Sequence, residues 1–240
     1  MDIGSKFINE ITRKANKIKE LIEMSKIMNE EFPIQFKINY PDSNSKKTIY
    51  ITFYINDETY CTGGYMIETD LSRKCFIPSL YSNIGNRSGS FLLQLQVLLA
   101  ISTNCKEITL DNFTDNPARA ASKSGVYGIF HIDKRGSDRS DFIGATTEEK
   151  LLASEGQMRF IIDSNSKNIW VEEMKNFASH VDDTKDPWNT DLEKHINMFI
   201  YNINQYEGGK TKKTKKAKKS KKAKKTKKAK KTKKTRKSKK

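Results

Sequence analysis

Residues 75–81 (Cys-Phe-Ile-Pro-Ser-Leu-Tyr), 82–90 (Ser-Asn-Ile-Gly-Asn-Arg-Ser-Gly-Ser), 91–99 (Phe-Leu-Leu-Gln-Leu-Gln-Val-Leu-Leu) and 106–110 (Lys-Glu-Ile-Thr-Leu) decide the fold. The first segment reads as a strand. Pro78 removes one of its ladder donors, so the strand is expected to be irregular or splayed on one side. The second is polar and carries Gly85 and Gly89, as a loop does. The third is apolar on most faces and reads as a central helix ended by Asn104. The fourth is a short strand. Strand, glycine-containing loop, helix and strand make a βαβ crossover, which pairs its two strands in parallel.

Upstream, Ile8, Ile11, Ala15, Ile18 and Ile22 recur every three or four residues, which predicts an amphipathic helix over 5–31 ended by Pro33. The period then changes to two. Ile34, Phe36, Ile38 and Tyr40 alternate with polar residues, residues 41–44 form a turn, and Ile49, Ile51, Phe53 and Ile55 alternate again. Thr59 to Ile67 continues as a strand, with Gly63-Gly64 marking a bend or bulge. These three strands form an antiparallel meander onto which the crossover is grafted. The expected fold is therefore α+β, a mixed and mostly antiparallel sheet flanked by helices.

Downstream, Pro117 stands near the first turn of a short helix, and residues 127–132 read as a strand. Residues 133–147 are polar and glycine-containing, as in a mobile loop. Met158 to Asp163 reads as a strand, 164–167 as a turn, and 169–177 fits strand or helix equally. A last helix over 190–205 is expected from the capping box of Thr190 and Glu193, with Leu192, Ile196, Phe199, Ile200 and Ile203 on one face.

From Ser79 to Phe130 the chain resembles the GNAT superfamily of acyl-CoA-dependent N-acyltransferases. The matching residues are Ser79-Leu80-Tyr81, Gly89-Ser90-Phe91-Leu92-Leu93, Cys105 to Leu110, Thr114-Asp115-Asn116-Pro117-Ala118 and Gly125-Val126. The resemblance implies a fourth strand splayed from the fifth, a groove for the pantetheine arm of acetyl-CoA, and a pyrophosphate cradle before the helix. A helix N-terminus suits that anion, because it presents unpaired N–H donors and a positive partial charge. Carried over, the cofactor-binding residues are Arg87, Ser88, Gly89, Ser90 and Asn116. The family's loop reads Gln or Arg, two residues, Gly, one residue, Gly or Ala. With Gly89 last, Ile84 takes the first position and Arg87 that of the middle glycine. Many members place a Tyr seven residues after the motif Asn as general acid to the leaving thiolate. Here that position is Lys123, and Tyr127 is the nearby candidate. Glu68, Asp70 and His131 are positional candidates for the base that deprotonates an amine acceptor, with Glu68 preferred.

Residues 210–240 contain only Lys, Arg, Thr, Ser and Ala, in a repeat close to Lys-Lys-x. They hold 21 of the chain's 45 basic residues and no acid, so 1–209 carry 24 basic against 29 acidic residues. The formal charge of +16 thus combines a mildly acidic body with a polycation. The polycation has too little apolar surface to offset an ordering cost of roughly 1–2 kcal/mol per residue. The expected division is a globular domain over 1–207 and a disordered Lys-rich tail over 208–240, hinged at Gly208-Gly209. Lys212, Lys213, Lys215, Lys216, Lys218, Lys219, Lys221, Lys222 and Arg236 are its candidate phosphate contacts. The tail has no aromatic side chain to stack on bases, so binding to nucleic acid is expected to be sequence-independent and salt-sensitive.

Cys61, Cys75 and Cys105 are odd in number, widely spaced and set in apolar contexts, and read as buried free thiols in a reducing compartment. His131, His180 and His195 lack metal-ligand spacing. Gly85 to Ser90 lacks the Gly-Lys-Ser/Thr ending of a P-loop. Trp170 and Trp188 read as core or interface residues. No window is apolar enough to span a membrane, and the first residues do not resemble a secretory signal. The expectation is an intracellular, soluble protein in the nucleus or another nucleic-acid-rich compartment. It is either an acetyl-CoA-dependent N-acyltransferase tethered by its tail or a catalytically inactive nucleic-acid-binding or packaging protein on the same scaffold.

Overall fold

The computed structural model describes residues 3–39, 48–67, 73–110, 131–133, 140–141 and 157–207. The chain divides into two compact units, Met1–Phe199 and Ile200–Lys240. Of the second, residues 200–207 are described, and they are helical.

The first unit is α+β with a mixed sheet. Helix α1 (Ile3–Ser25) precedes the strands β1 (Ile34–Asn39), β2 (Thr48–Ile55), β3 (Thr59–Ile67) and β4 (Arg73–Ser82). Helix α2 (Ser88–Ser102) leads to β5 (Glu107–Leu110), followed by β6 (His131–Asp133), β7 (Ser140–Asp141) and β8 (Gln157–Ile161). Helix α3 (Ser166–Ser179) and the part of helix α4 (192–207) up to residue 199 complete the described elements of this unit. The strand order is β1-β2-β3-β4-β5-β8-β6-β7. Every pairing is antiparallel except β4 with β5, which is parallel, as a crossover through α2 requires.

The period-two alternation of β2 sends Ile49, Ile51, Phe53 and Ile55 into the core and leaves the residues between them half-buried. On α1, Phe7, Ile11, Ala15, Ile18 and Ile22 line the buried stripe. Helix α2 is different, since it buries every residue from Ser88 to Ala100 and so runs through the interior. Arg73 links α1 to the start of the parallel pair. Its guanidinium bonds the Thr103 carbonyl at 2.6 Å, pairs with Glu10 at 3.1 Å, and lies 4.7 Å over the Phe7 ring.

Three expectations are corrected and one open choice is resolved. The first helix ends at Ser25 rather than running to residue 31. Lys26 takes a left-handed conformation, and Ile27 and Met28 are both buried. Met28 instead forms an antiparallel bridge with Trp188, which takes the chain out of the helix. Residues 169–177 are helix, because Trp170 and Met174 face the interior one turn apart and the Trp170 indole donates to the Gln94 carbonyl at 3.0 Å. Helix α4 begins at 192, so Thr190 is one residue too early to cap it. The Leu192 amide instead donates to Asp183 Oδ2 at 3.3 Å. Within the expected loop 133–147, residues 140–141 pair with β6.

Candidate functional site

The region between β4 and α2 is built from backbone irregularities that the sequence forces. In the β3–β4 ladder Thr62 faces Ser79 and Gly64 faces Phe76, so Ile77 and Pro78 stand opposite Gly63 alone. That is a β-bulge, the setting in which a strand tolerates a residue without an N–H. Among the described residues, the parallel β4–β5 register runs from Lys74/Glu107 to Ile77/Leu110. Beyond it, Ser79 to Ser82 pair with β3. Thr59, fully buried, takes up the end of β4 by accepting the Asn83 and Ile84 amides on its Oγ1 at 3.3 and 3.4 Å.

The chain then turns into α2 through three successive left-handed residues, Gly85 (φ 76°), Asn86 (φ 44°) and Arg87 (φ 60°). Only glycine adopts this region without cost, so the turn needs support at its other two positions. Asn86 supplies it. Its Nδ2 lies 2.9–3.2 Å from the carbonyls of Asp182, Lys185 and Asp186, and its own carbonyl accepts the Trp188 indole at 2.9 Å. Trp188 in turn packs edge-on against Phe91 and Phe177, at centroid distances of 5.2 and 5.3 Å. The segment 182–188 is itself stiffened by Asp182, whose carboxyl is held down to about 2 by bonds from Lys185 and Thr184.

Arg87 precedes the first turn of α2 and makes no side-chain cap. It is exposed, and its guanidinium has no ion-pair partner among the described residues. The Ser88 amide is used by the Gly85 carbonyl at 3.0 Å, and the Phe91 amide by the Arg87 carbonyl at 3.1 Å. The Gly89 and Ser90 amides between them have no acceptor among the described residues. Gly89 lies against β4, where an added Cβ would stand 2.9 Å from Ser82 Cβ. The Ser82 and Ser88 hydroxyls hydrogen-bond at 2.8 Å across the same contact. An exposed cation beside two spare amides can hold an anion.

Of the candidate residues, the structure therefore brings together Arg87, Ser88, Gly89 and Ser90. Glu68, Asp70, Asn116, Lys123 and Tyr127, and the tail residues Lys212 to Lys222 and Arg236, lie outside the described residues, and His131 is described in its backbone alone.

The sequence reading passed over the glutamines inside α2. Gln96 is fully buried, and its Nε2 donates to the Ile51 and Cys61 carbonyls at 2.8 and 2.9 Å, while its Oε1 accepts the Tyr65 hydroxyl. Gly63 leaves the room for it, since a Cβ there would stand 2.5 Å from Gln96 Oε1. Gln94 is also buried, and its Oε1 has no partner among the described residues. Two glutamines in an otherwise apolar helix were the available signal. Around Tyr65 the three cysteines are free and buried, as expected. Burial raises the Cys61 and Cys75 thiols and the Tyr65 phenol well above their ordinary ranges. Cys105 is pushed up to about 11 by burial, against the opposing pull of the Thr103 hydroxyl and Arg73. Such thiols stay protonated and unreactive near neutral pH. Trp170 and Trp188 are core residues, and His195 is structural, its Nδ1 bonded to the Ser25 carbonyl at 2.8 Å.

Among the described residues no group of His, Cys, Asp or Glu could hold a metal ion, and no helix is long and apolar enough to cross a membrane. No protein-family model matches the chain, and no curated protein matches it. Among solved structures, the chain is similar to a protein of unknown function from Aquifex aeolicus VF5, at 11% identity and a TM-score of 0.32. The alignment covers 72% of this chain and 92% of that one.

Proposed function

We propose that the chain is an acetyl-CoA-dependent N-acyltransferase of the GNAT type, held on nucleic acid by its Lys-rich C-terminal segment without regard to sequence. The observation that carries this reading is the junction at Pro78. There β4 bulges against β3, and Gly89 of α2 packs against Ser82 on the outgoing strand. A gap opening at that point would take a thin acyl-pantetheine arm, and the Gly89 and Ser90 amides with Arg87 would hold its pyrophosphate. The strand order supports the same reading, with an antiparallel meander, one parallel pair made through a helix, and an antiparallel strand beyond it.

In such a reaction the acceptor amine loses a proton, attacks the thioester carbonyl, and expels a thiolate that takes a proton. Glu68 and Tyr127 are the residues we assign as base and acid, on the resemblance alone. Isothermal titration of the full chain with acetyl-CoA, in salt high enough to screen the Lys-rich segment, tests the site. We expect saturable binding that Arg87→Ala weakens roughly tenfold. Absence of a binding heat in the wild type sinks the proposal.

One observation favours an inactive scaffold instead, namely that the first turn of α2 is buried, with Ser90 only 9% exposed. Release of coenzyme A thiol in the presence of a Lys-rich peptide separates the two readings, since a scaffold that binds the cofactor releases none. The tether is tested by filter binding of DNA or RNA against salt. The full chain should lose affinity steeply, by about 0.9 power of salt per neutralised phosphate, and a chain ending at residue 207 should bind weakly at every salt concentration.

A further inference from the structure

A cleft of about 490 Å³ opens between the end of α1 and the start of β1, within the range of about 300–1,000 Å³ typical of small-molecule sites. Its lining is mixed. The buried side chains of Ile22, Met28 and Ile34 line it beside the amides Asn29 and Asn189, and Pro33 adds an exposed apolar wall. Its rim carries two exposed, oppositely charged side chains, Lys26 and Glu30. Neither makes an ion pair among the described residues, with the other or with a third group. The remaining rim carboxylate, Glu23, is engaged by Lys19 at 3.2 Å.

The frame of the cleft is fixed. Lys26 closes α1 in a left-handed conformation, its amide on the Glu23 carbonyl at 3.1 Å. Asn189 then clamps the following backbone, its Nδ2 donating to the Lys26 and Met28 carbonyls at 2.8 and 2.7 Å and its amide to the Ile27 carbonyl at 3.2 Å. The Asn29 amide donates to the Pro187 carbonyl at 2.9 Å. The loop that presents Lys26 and Glu30 is thus held before any ligand arrives, which lowers the ordering cost of binding.

We propose that this cleft binds a small zwitterion with an aliphatic side chain, an α-amino acid of the leucine type. Lys26 meets the carboxylate, Glu30 meets the ammonium, and the side chain lies on Ile22, Met28 and Ile34. A purely cationic ligand leaves Lys26 facing a like charge, and a purely anionic one does the same to Glu30. The inference does not depend on the acyl-transfer reading, and its test contains no acetyl-CoA.

The test is calorimetric titration of the full chain with L-leucine, 3-methylbutylamine (the analogue without the carboxylate) and 4-methylpentanoate (the analogue without the ammonium). We expect a saturable heat with leucine, at least tenfold weaker binding of each analogue, and a loss of roughly tenfold or more in Lys26→Met and in Glu30→Gln. Both side chains are exposed, so these variants keep the fold, and the two analogues probe the same charges on the unaltered chain. No heat with leucine, or equal affinity for either analogue, overturns the proposal.

Discussion

From Gln96 to Thr103 the polar groups of α2 are tied into the core, whereas its first turn keeps spare ones. Gln96 joins α2 to β2 and to β3, and the Thr103 hydroxyl bonds back to the Leu99 carbonyl at 2.8 Å. Seven residues before Gln96, the Gly89 amide has no acceptor among the described residues, and Arg87 next to that turn is exposed. One helix thus has a part that holds the fold and a part with bonding capacity left for a ligand. Substitutions in the first part should act on stability, and those in the second on binding.

The largest effect is expected at Gln96. Gln96→Leu removes the side-chain donor to two buried carbonyls and leaves the Tyr65 hydroxyl only the Gln96 backbone carbonyl at 3.4 Å, which at about 1–3 kcal/mol per unpaired group should cost roughly 2–4 kcal/mol in urea unfolding. A loss under about 1 kcal/mol would break the comparison. Next come the tight glycines. Gly89→Ala drives a methyl into Ser82 and should cost about 1–3 kcal/mol, while also disturbing the first turn of α2. Gly63→Ala should cost as much with no change in ligand binding, a contrast that sharpens the division between the two parts.

A smaller effect follows from the buried thiols. Their pKa values are raised by folding, so the folded state holds protons that the unfolded state gives up. The stabilisation is complete below the ordinary thiol value near 9 and declines as pH rises toward the value of about 11 for Cys105. Thermal midpoints should therefore fall between pH 9 and 11, and Cys105→Ser should reduce the slope. In the native chain near neutral pH, a thiol reagent should label none of the three cysteines. The smallest stability effect is expected for Arg87→Ala, within about 0.5 kcal/mol, because Arg87 touches solvent rather than the core.

How much of this was legible in the sequence follows from the range of each signal. The meander and the β4–α2–β5 crossover were readable because alternation and a long apolar run are local patterns. Pro78 could be assigned to an irregular strand for the same reason. The end of α1 was not legible, because Ile27 and Met28 continue an apolar trend while the reason to stop is a long-range contact, the bridge from Met28 to Trp188. Residues 169–177 fit two periods at once, and the helix is fixed by the bond from Trp170 to Gln94, 76 positions earlier. The candidate site was legible at Arg87 to Ser90, where a glycine and two serines open a helix. The clamp on Asn86 comes from residues 182–188, and no local pattern announces it.

The central claim is that the spare amides of α2 and Arg87 serve an acyl-CoA. Titration of acetyl-CoA into the full chain and into Arg87→Ala, both in high salt, tests it most directly. The account predicts saturable binding to the first, weakened roughly tenfold in the second at unchanged stability. No binding heat in the wild-type chain, or equal affinity in the two, would contradict it.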